Sequence, residues 1–85
     1  MFDFPARPDE TMEVNLHEMD VPQARKWLEA KVTSAPKKIR EIVVIHGYRG
    51  GTALMNMVRK SFRHPRVIRK VVGMNQGTTI LILKP

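Results

Sequence analysis

The 85-residue chain has no cysteine. That excludes disulfide cross-links and thiolate metal sites, and it agrees with a reducing compartment. No apolar run approaches the roughly 20 residues that span a bilayer. The first residues are acids and prolines where a secretory signal would place bases and then apolar residues. A soluble, cytoplasmic protein with no membrane partner is expected. Aromatics are few, with one tryptophan, one tyrosine and three phenylalanines, so there is no row of rings on which successive bases of a single strand would stack. Acids are nearly missing beyond residue 20. Residues 1–20 hold six acids and one base, net −5, whereas residues 21–85 hold only Glu29 and Glu41 against fourteen bases, net +12. An excess of this size concentrates polyanions and speeds their capture. Nucleic acid, DNA or RNA, is therefore the expected partner, read through its backbone and shape. A solvated basic surface is the competing reading of the same charge. A membrane surface fits less well, because no helix pairs a wide apolar face with a purely basic one.

A chain this short makes one small domain that buries only about 60–65% of its unfolded surface. Residues 1–11 contain two prolines and no apolar period, which predicts an extended acidic arm; Phe2 and Phe4 are expected to pack on the domain, which spans residues 12–85. Met12, Val14 and Leu16 alternate with Glu13, Asn15 and His17, the period of a half-buried strand that puts Asn15 and His17 on one face. Asp20, Pro22 and Gln23 then form a helix start, with Gln23 in the capping-box position. Val21, Ala24, Trp27, Leu28, Val32 and Ala35 make its apolar stripe, and Pro36 ends it. Trp27 is expected in the core. Residues 39–45 include five β-branched residues and predict a central strand buried on both faces. Strand, helix and strand in this order make a right-handed βαβ unit with parallel strands.

A second helix is expected from a cap at Thr52 to the neighbourhood of His64 and Pro65, with Leu54, Met55, Met57, Val58, Ser61 and Phe62 on its apolar face. Residues 66–72 and 78–83 are two further strands joined by a hairpin at 73–77. The expected fold class is α/β, a two-layer sandwich of order β-α-β-α-β-β with a four-stranded mixed sheet and two helices.

Both parallel strands end on a histidine. His17 closes the first, and His46 closes the second and opens Gly47-Tyr-Arg-Gly-Gly51. Ligands of open α/β sheets bind at this carboxyl edge. Gly47, Gly50 and Gly51 would bring backbone N–H groups close to an anion, the helix after Thr52 would point its positive end there, and Arg49 would add a planar double donor for phosphate. Tyr48 is the one aromatic placed to stack on a base or sugar, or to anchor the loop. A neutral and a protonated imidazole could coexist near neutral pH. Such a pair could take the proton of an RNA 2′-hydroxyl and protonate the leaving oxygen. The plainer reading is that His46 holds the loop, His17 caps its strand and the glycines serve a turn. A second basic surface is made by Arg59, Lys60, Arg63, Arg66, Arg69 and Lys70. No pair of carboxylates is aimed at the edge, so no metal or other cofactor is predicted, and dependence on a divalent metal stays open.

Three phrases resemble one family. Val14-Asn-Leu-His17 stands like the Leu-Asp-x-His motif of the small MutS-related (Smr) domain. Ile45-His-Gly47 with Arg49-Gly-Gly-Thr-Ala-Leu54 is similar to that family's His-Gly-x-Gly-x-Gly loop. Asn75-Gln-Gly-Thr-Thr79 resembles its carboxyl-terminal hairpin, and His64-Pro-Arg-Val67 its approach to the third strand. The resemblance covers residues 12–84. It implies the sandwich seen in the carboxyl-terminal domain of translation initiation factor three, nucleic-acid binding, and in some members endonuclease cleavage of DNA or RNA. It would make His17, His46 and position 15 catalytic. This chain carries Asn15 where the family has an acid, Glu18 where a glycine often follows the histidine, and Arg49 where a glycine is usual. The alternative is therefore a non-catalytic module that binds a ribosome or another protein through its basic face. A nucleotide-binding P-loop is excluded by the lack of a lysine after the glycines.

Overall fold

In the computed structural model, which describes residues 8–47, 52–73 and 75–84, β1 is Thr11–Asn15. A single 3-10 turn, Pro8–Glu10, leads into it, and the Arg40 amide donates to the Glu10 carbonyl at 2.7 Å. Residues 8–11, expected in the extended arm, thus form this turn and the first residue of β1. Residues 1–7, with Phe2 and Phe4, lie outside the described residues.

Helix α1, Val21–Ser34, forms where expected. The Asp20 carboxylate accepts from the Gln23 amide at 2.9 Å, Pro22 occupies the first turn, and Ala35 turns extended before Pro36. Ala24, Leu28 and Val32 are buried at a spacing of four. Trp27 departs from the expected stripe and is 44% exposed. One residue turns the helix by about 100°, so next to the buried Leu28 its ring falls on the flank, where Lys31 Nζ stands 4.5 Å over it.

Strand β2, Glu41–Ile45, lies parallel to β1 with Asn15 opposite Ile45. It is central, but only Ile42 and Val44 are buried; Val43 and Ile45 are half-buried. Burial on both faces was expected and is not found, because α1 and the second helical segment share one core and cover one face of the sheet.

That segment starts as one α-helical turn, α2, Ala53–Asn56, and widens into a π turn over Met57–Ser61. The Phe62 amide bonds the Met57 carbonyl, five residues back, at 2.7 Å. The extra residue in the turn buries Phe62 beside Met57 and Val58 and leaves Ser61, expected on the apolar face, exposed. Strands β3, Val67–Val72, and β4, Thr78–Leu83, complete an antiparallel hairpin. The sheet order is β1-β2-β4-β3, parallel between β1 and β2 and antiparallel elsewhere. This is the expected four-stranded mixed sheet with two helices. No helix among the described residues is long and apolar enough to cross a membrane.

Candidate functional site

The two histidines come to the same edge, as the parallel pairing of β1 and β2 requires, but into different environments. His46 follows β2 on the covered face and is 2% exposed. Its Nδ1 lies 2.8 Å from the Gly47 carbonyl oxygen and its Nε2 2.8 Å from Thr79 Oγ1. A carbonyl only accepts, so Nδ1 carries the hydrogen and Nε2 the lone pair, to which the Thr79 hydroxyl donates. Arg59 Nε donates in turn to Thr79 Oγ1 at 2.7 Å. The imidazole therefore has no free nitrogen. Burial holds its pKa below the ordinary 6.5; the Gly47 carbonyl pulls upward and the Arg59 charge downward. His46 thus links β4 to Gly47 through its two ring nitrogens.

His17 is the accessible member. Its side chain is 56% exposed, with Nδ1 3.5 Å from Glu18 Oε2. The Cδ2–Nε2 edge of the ring lies on the α-carbon of Gly47: a Cβ added there would stand 2.7 Å from Cδ2 and 3.3 Å from Nε2. Gly47 also has φ +72°, so any side chain is disfavoured on two counts. Its amide is already committed, because both it and the His46 amide donate to the Gly77 carbonyl at 3.0 and 2.9 Å. That N–H is not free for an anion, contrary to the expectation for the loop. Asn15 Oδ1 accepts from the His17 amide at 2.8 Å, a local turn that a neutral amide makes as well as an acid does. Glu18 adopts φ +73°, a left-handed conformation costing a residue with a side chain roughly 1–2 kcal/mol. Sequence reasoning missed this. The signal was there, in a glutamate at the place where a glycine often follows the histidine.

Tyr48, Arg49, Gly50 and Gly51 lie outside the described residues. Thr52 is exposed, and its side chain makes no capping hydrogen bond to the helix backbone; among the described residues it accepts from Asn56 Nδ2 at 3.4 Å. With one α-helical turn before the π turn, the aligned dipole expected after Thr52 is short.

The second basic surface divides in two. Arg66 sends Nη1 to the carbonyls of Val32 and Ala35 at 2.8 and 2.7 Å, and Nη2 to that of Pro36 at 3.4 Å. It thus adds a charged donor to the carbonyls at the end of α1, of which that of Val32 also accepts from the Ala35 amide at 3.4 Å. Arg59 bonds Thr79 Oγ1 and, through Nη2, the carbonyls of Thr78 and Gln76 at 3.0 and 3.5 Å. Lys70 Nζ bonds the carbonyl of Phe62 at 2.6 Å and reaches that of Arg59 at 3.5 Å. Burial, then the Arg63 charge, lowers its pKa from the ordinary 10.5. Lys60, Arg63 and Arg69 are exposed. Among the described residues no group of three His, Asp or Glu side chains could hold a metal ion.

No protein-family model matches the sequence, and no curated protein matches it. Among solved structures it is similar to the Smr domain of Thermus thermophilus MutS2, with a TM-score of 0.78 and 24% sequence identity over 87% of this chain and 99% of that one. The chain has the fold of an Smr domain.

Proposed function

We propose that the chain binds nucleic acid at the carboxyl edge of β1 and β2, and that His17 acts there as a general base in phosphodiester cleavage. The carrying observation is the position of His17, exposed, with its Nε2 edge against Gly47. Support also comes from the net charge of +7 and from the Smr fold. On RNA, Nε2 takes the proton of a 2′-hydroxyl while O2′ bonds to phosphorus and the P–O5′ bond breaks. The departing O5′ takes a proton from water, and the imidazolium returns its proton to the hydroxide formed. The products are a 2′,3′-cyclic phosphate and a 5′-hydroxyl. His46 contributes by holding Gly47, and the exposed Lys60, Arg63 and Arg69 attract the backbone without base specificity.

A second reading is a binding module without catalysis, directed at nucleic acid, a ribosome or another protein. It is favoured by the buried, fully hydrogen-bonded His46, which leaves one accessible imidazole at the edge where a proton-transfer pair was expected. The deciding experiment incubates the protein with end-labelled single- and double-stranded RNA and DNA, in EDTA and in magnesium or manganese, beside His17→Ala. Cleavage lost in His17→Ala, with affinity kept within about twofold, supports the first reading. A salt-sensitive gel shift without cleavage establishes the second. Neither cleavage nor shift overturns nucleic acid as the ligand.

A further inference from the structure

Among the described residues, Glu18 is the one non-glycine in the left-handed region. A glycine would adopt that backbone without strain, yet the position carries a long acid whose carboxylate reaches back to within 3.5 Å of His17 Nδ1. The other side of the same ring lies on the Gly47 α-carbon. The His17 amide donates to Asn15 Oδ1 at 2.8 Å, which commits that oxygen to the backbone. The ring is thus bracketed by an acid on Nδ1 and the loop glycine near Nε2. Strained non-glycine residues that persist against an easy relief collect at functional sites.

We propose that Glu18 is a positioning residue for His17, with its carboxylate accepting the Nδ1 hydrogen so that the Nε2 lone pair faces the nucleic acid. The proposal rests on His17 being the general base. A free neutral imidazole favours the hydrogen on Nε2, which would block that nitrogen as a base; an acceptor at Nδ1 reverses the preference. Both side chains are largely exposed, so the contact adds little to folding. Its value lies in the tautomer and the ring orientation.

The test compares wild type, Glu18→Gly and Glu18→Gln in the full chain, reading urea midpoint, kcat, KM and the ring-nitrogen NMR shifts of His17. Glu18→Gly relieves the backbone, and Glu18→Gln keeps its strain and its size. We expect Glu18→Gly to be at least as stable as wild type, with kcat down tenfold or more, KM within twofold, and the His17 hydrogen moved to Nε2. Glu18→Gln, whose amide oxygen still accepts, should retain part of both signals. A Glu18→Gly protein with unchanged kcat and tautomer overturns the proposal. So does a kcat loss in both variants with the tautomer unchanged. If wild type cleaves nothing, the general-base reading fails by itself, and the nitrogen shifts alone decide whether Glu18 sets the ring.

Discussion

His46 Nε2 and Thr79 Oγ1 meet at 2.8 Å in the interior, joining the end of β2 to the hairpin strand β4. The chain Arg59–Thr79–His46–Gly47 gives both imidazole nitrogens and the Thr79 hydroxyl partners, and no described buried side-chain nitrogen or oxygen is left unsatisfied. Thr79→Val would strand the imidazole lone pair and the Arg59 Nε hydrogen. A loss of about 1–3 kcal/mol is expected, measured by urea unfolding; a loss below a few tenths would contradict the network.

The same network sets a pH dependence. The folded-state pKa of His46 lies below the ordinary 6.5, so on acidification the unfolded chain takes up that proton first. Between the two values the unfolded state holds more protons, and stability rises with pH across that window. The contribution is complete above about pH 6.5 and is lost as pH falls through the folded-state value. Urea midpoints from pH 5 to 8 should show the rise, and His46→Gln should flatten it.

Gly47→Ala adds a methyl within 2.7 Å of the His17 ring at a backbone angle that disfavours it. A destabilisation of about 1–2 kcal/mol is expected, together with rotation of His17 away from the loop and loss of any cleavage. Unchanged NMR shifts for the His17 ring would contradict the contact.

Arginine position predicts arginine function. Arg66→Ala should cost about 2 kcal/mol of stability, since a charged donor to the α1 carbonyls is removed. Arg66→Lys should recover only part, because a single ammonium cannot fork as the guanidinium does. Neither should change the salt dependence of nucleic-acid binding. Lys60→Ala and Arg63→Ala should leave stability nearly untouched and lower the salt slope by about 0.7–0.9 for each phosphate no longer neutralised. Binding isotherms across a salt series check both halves.

Trp27 separates sequence pattern from packing. With the ring 44% exposed, Trp27→Ala should cost about 1 kcal/mol, well under the roughly 3–5 kcal/mol of a buried tryptophan, whereas Leu28→Ala should cost about 2–5 kcal/mol. Chemical denaturation followed by circular dichroism ranks the two.

Much of the architecture was legible because local pattern and chain chirality decide it. The alternation from Met12 to Leu16, the Asp20 cap, the Pro36 stop and the β-branched run ending at Ile45 each act over a few residues, and the handedness of βαβ units then makes β1 and β2 parallel. That placed His17 and His46 at one edge. What the residues could not announce was which side of the sheet the helices leave open, and with it the fate of each polar group. His46 finds its partner Thr79 33 positions along the chain, and Arg59 reaches the same hydroxyl from 20 positions away. The π turn that aims Arg59 at Thr79 has no local signature. Arg66 and Lys70 look like surface cations in sequence, and only the docking of α1 and of the π turn beside them supplies the carbonyls that engage them. Sequence by itself determined the order of elements, the charge and the sheet edge at which His17 and His46 meet. Tertiary structure decided which histidine faces solvent and which cations are free, because burial and hydrogen-bond partners are set by residues distant along the chain.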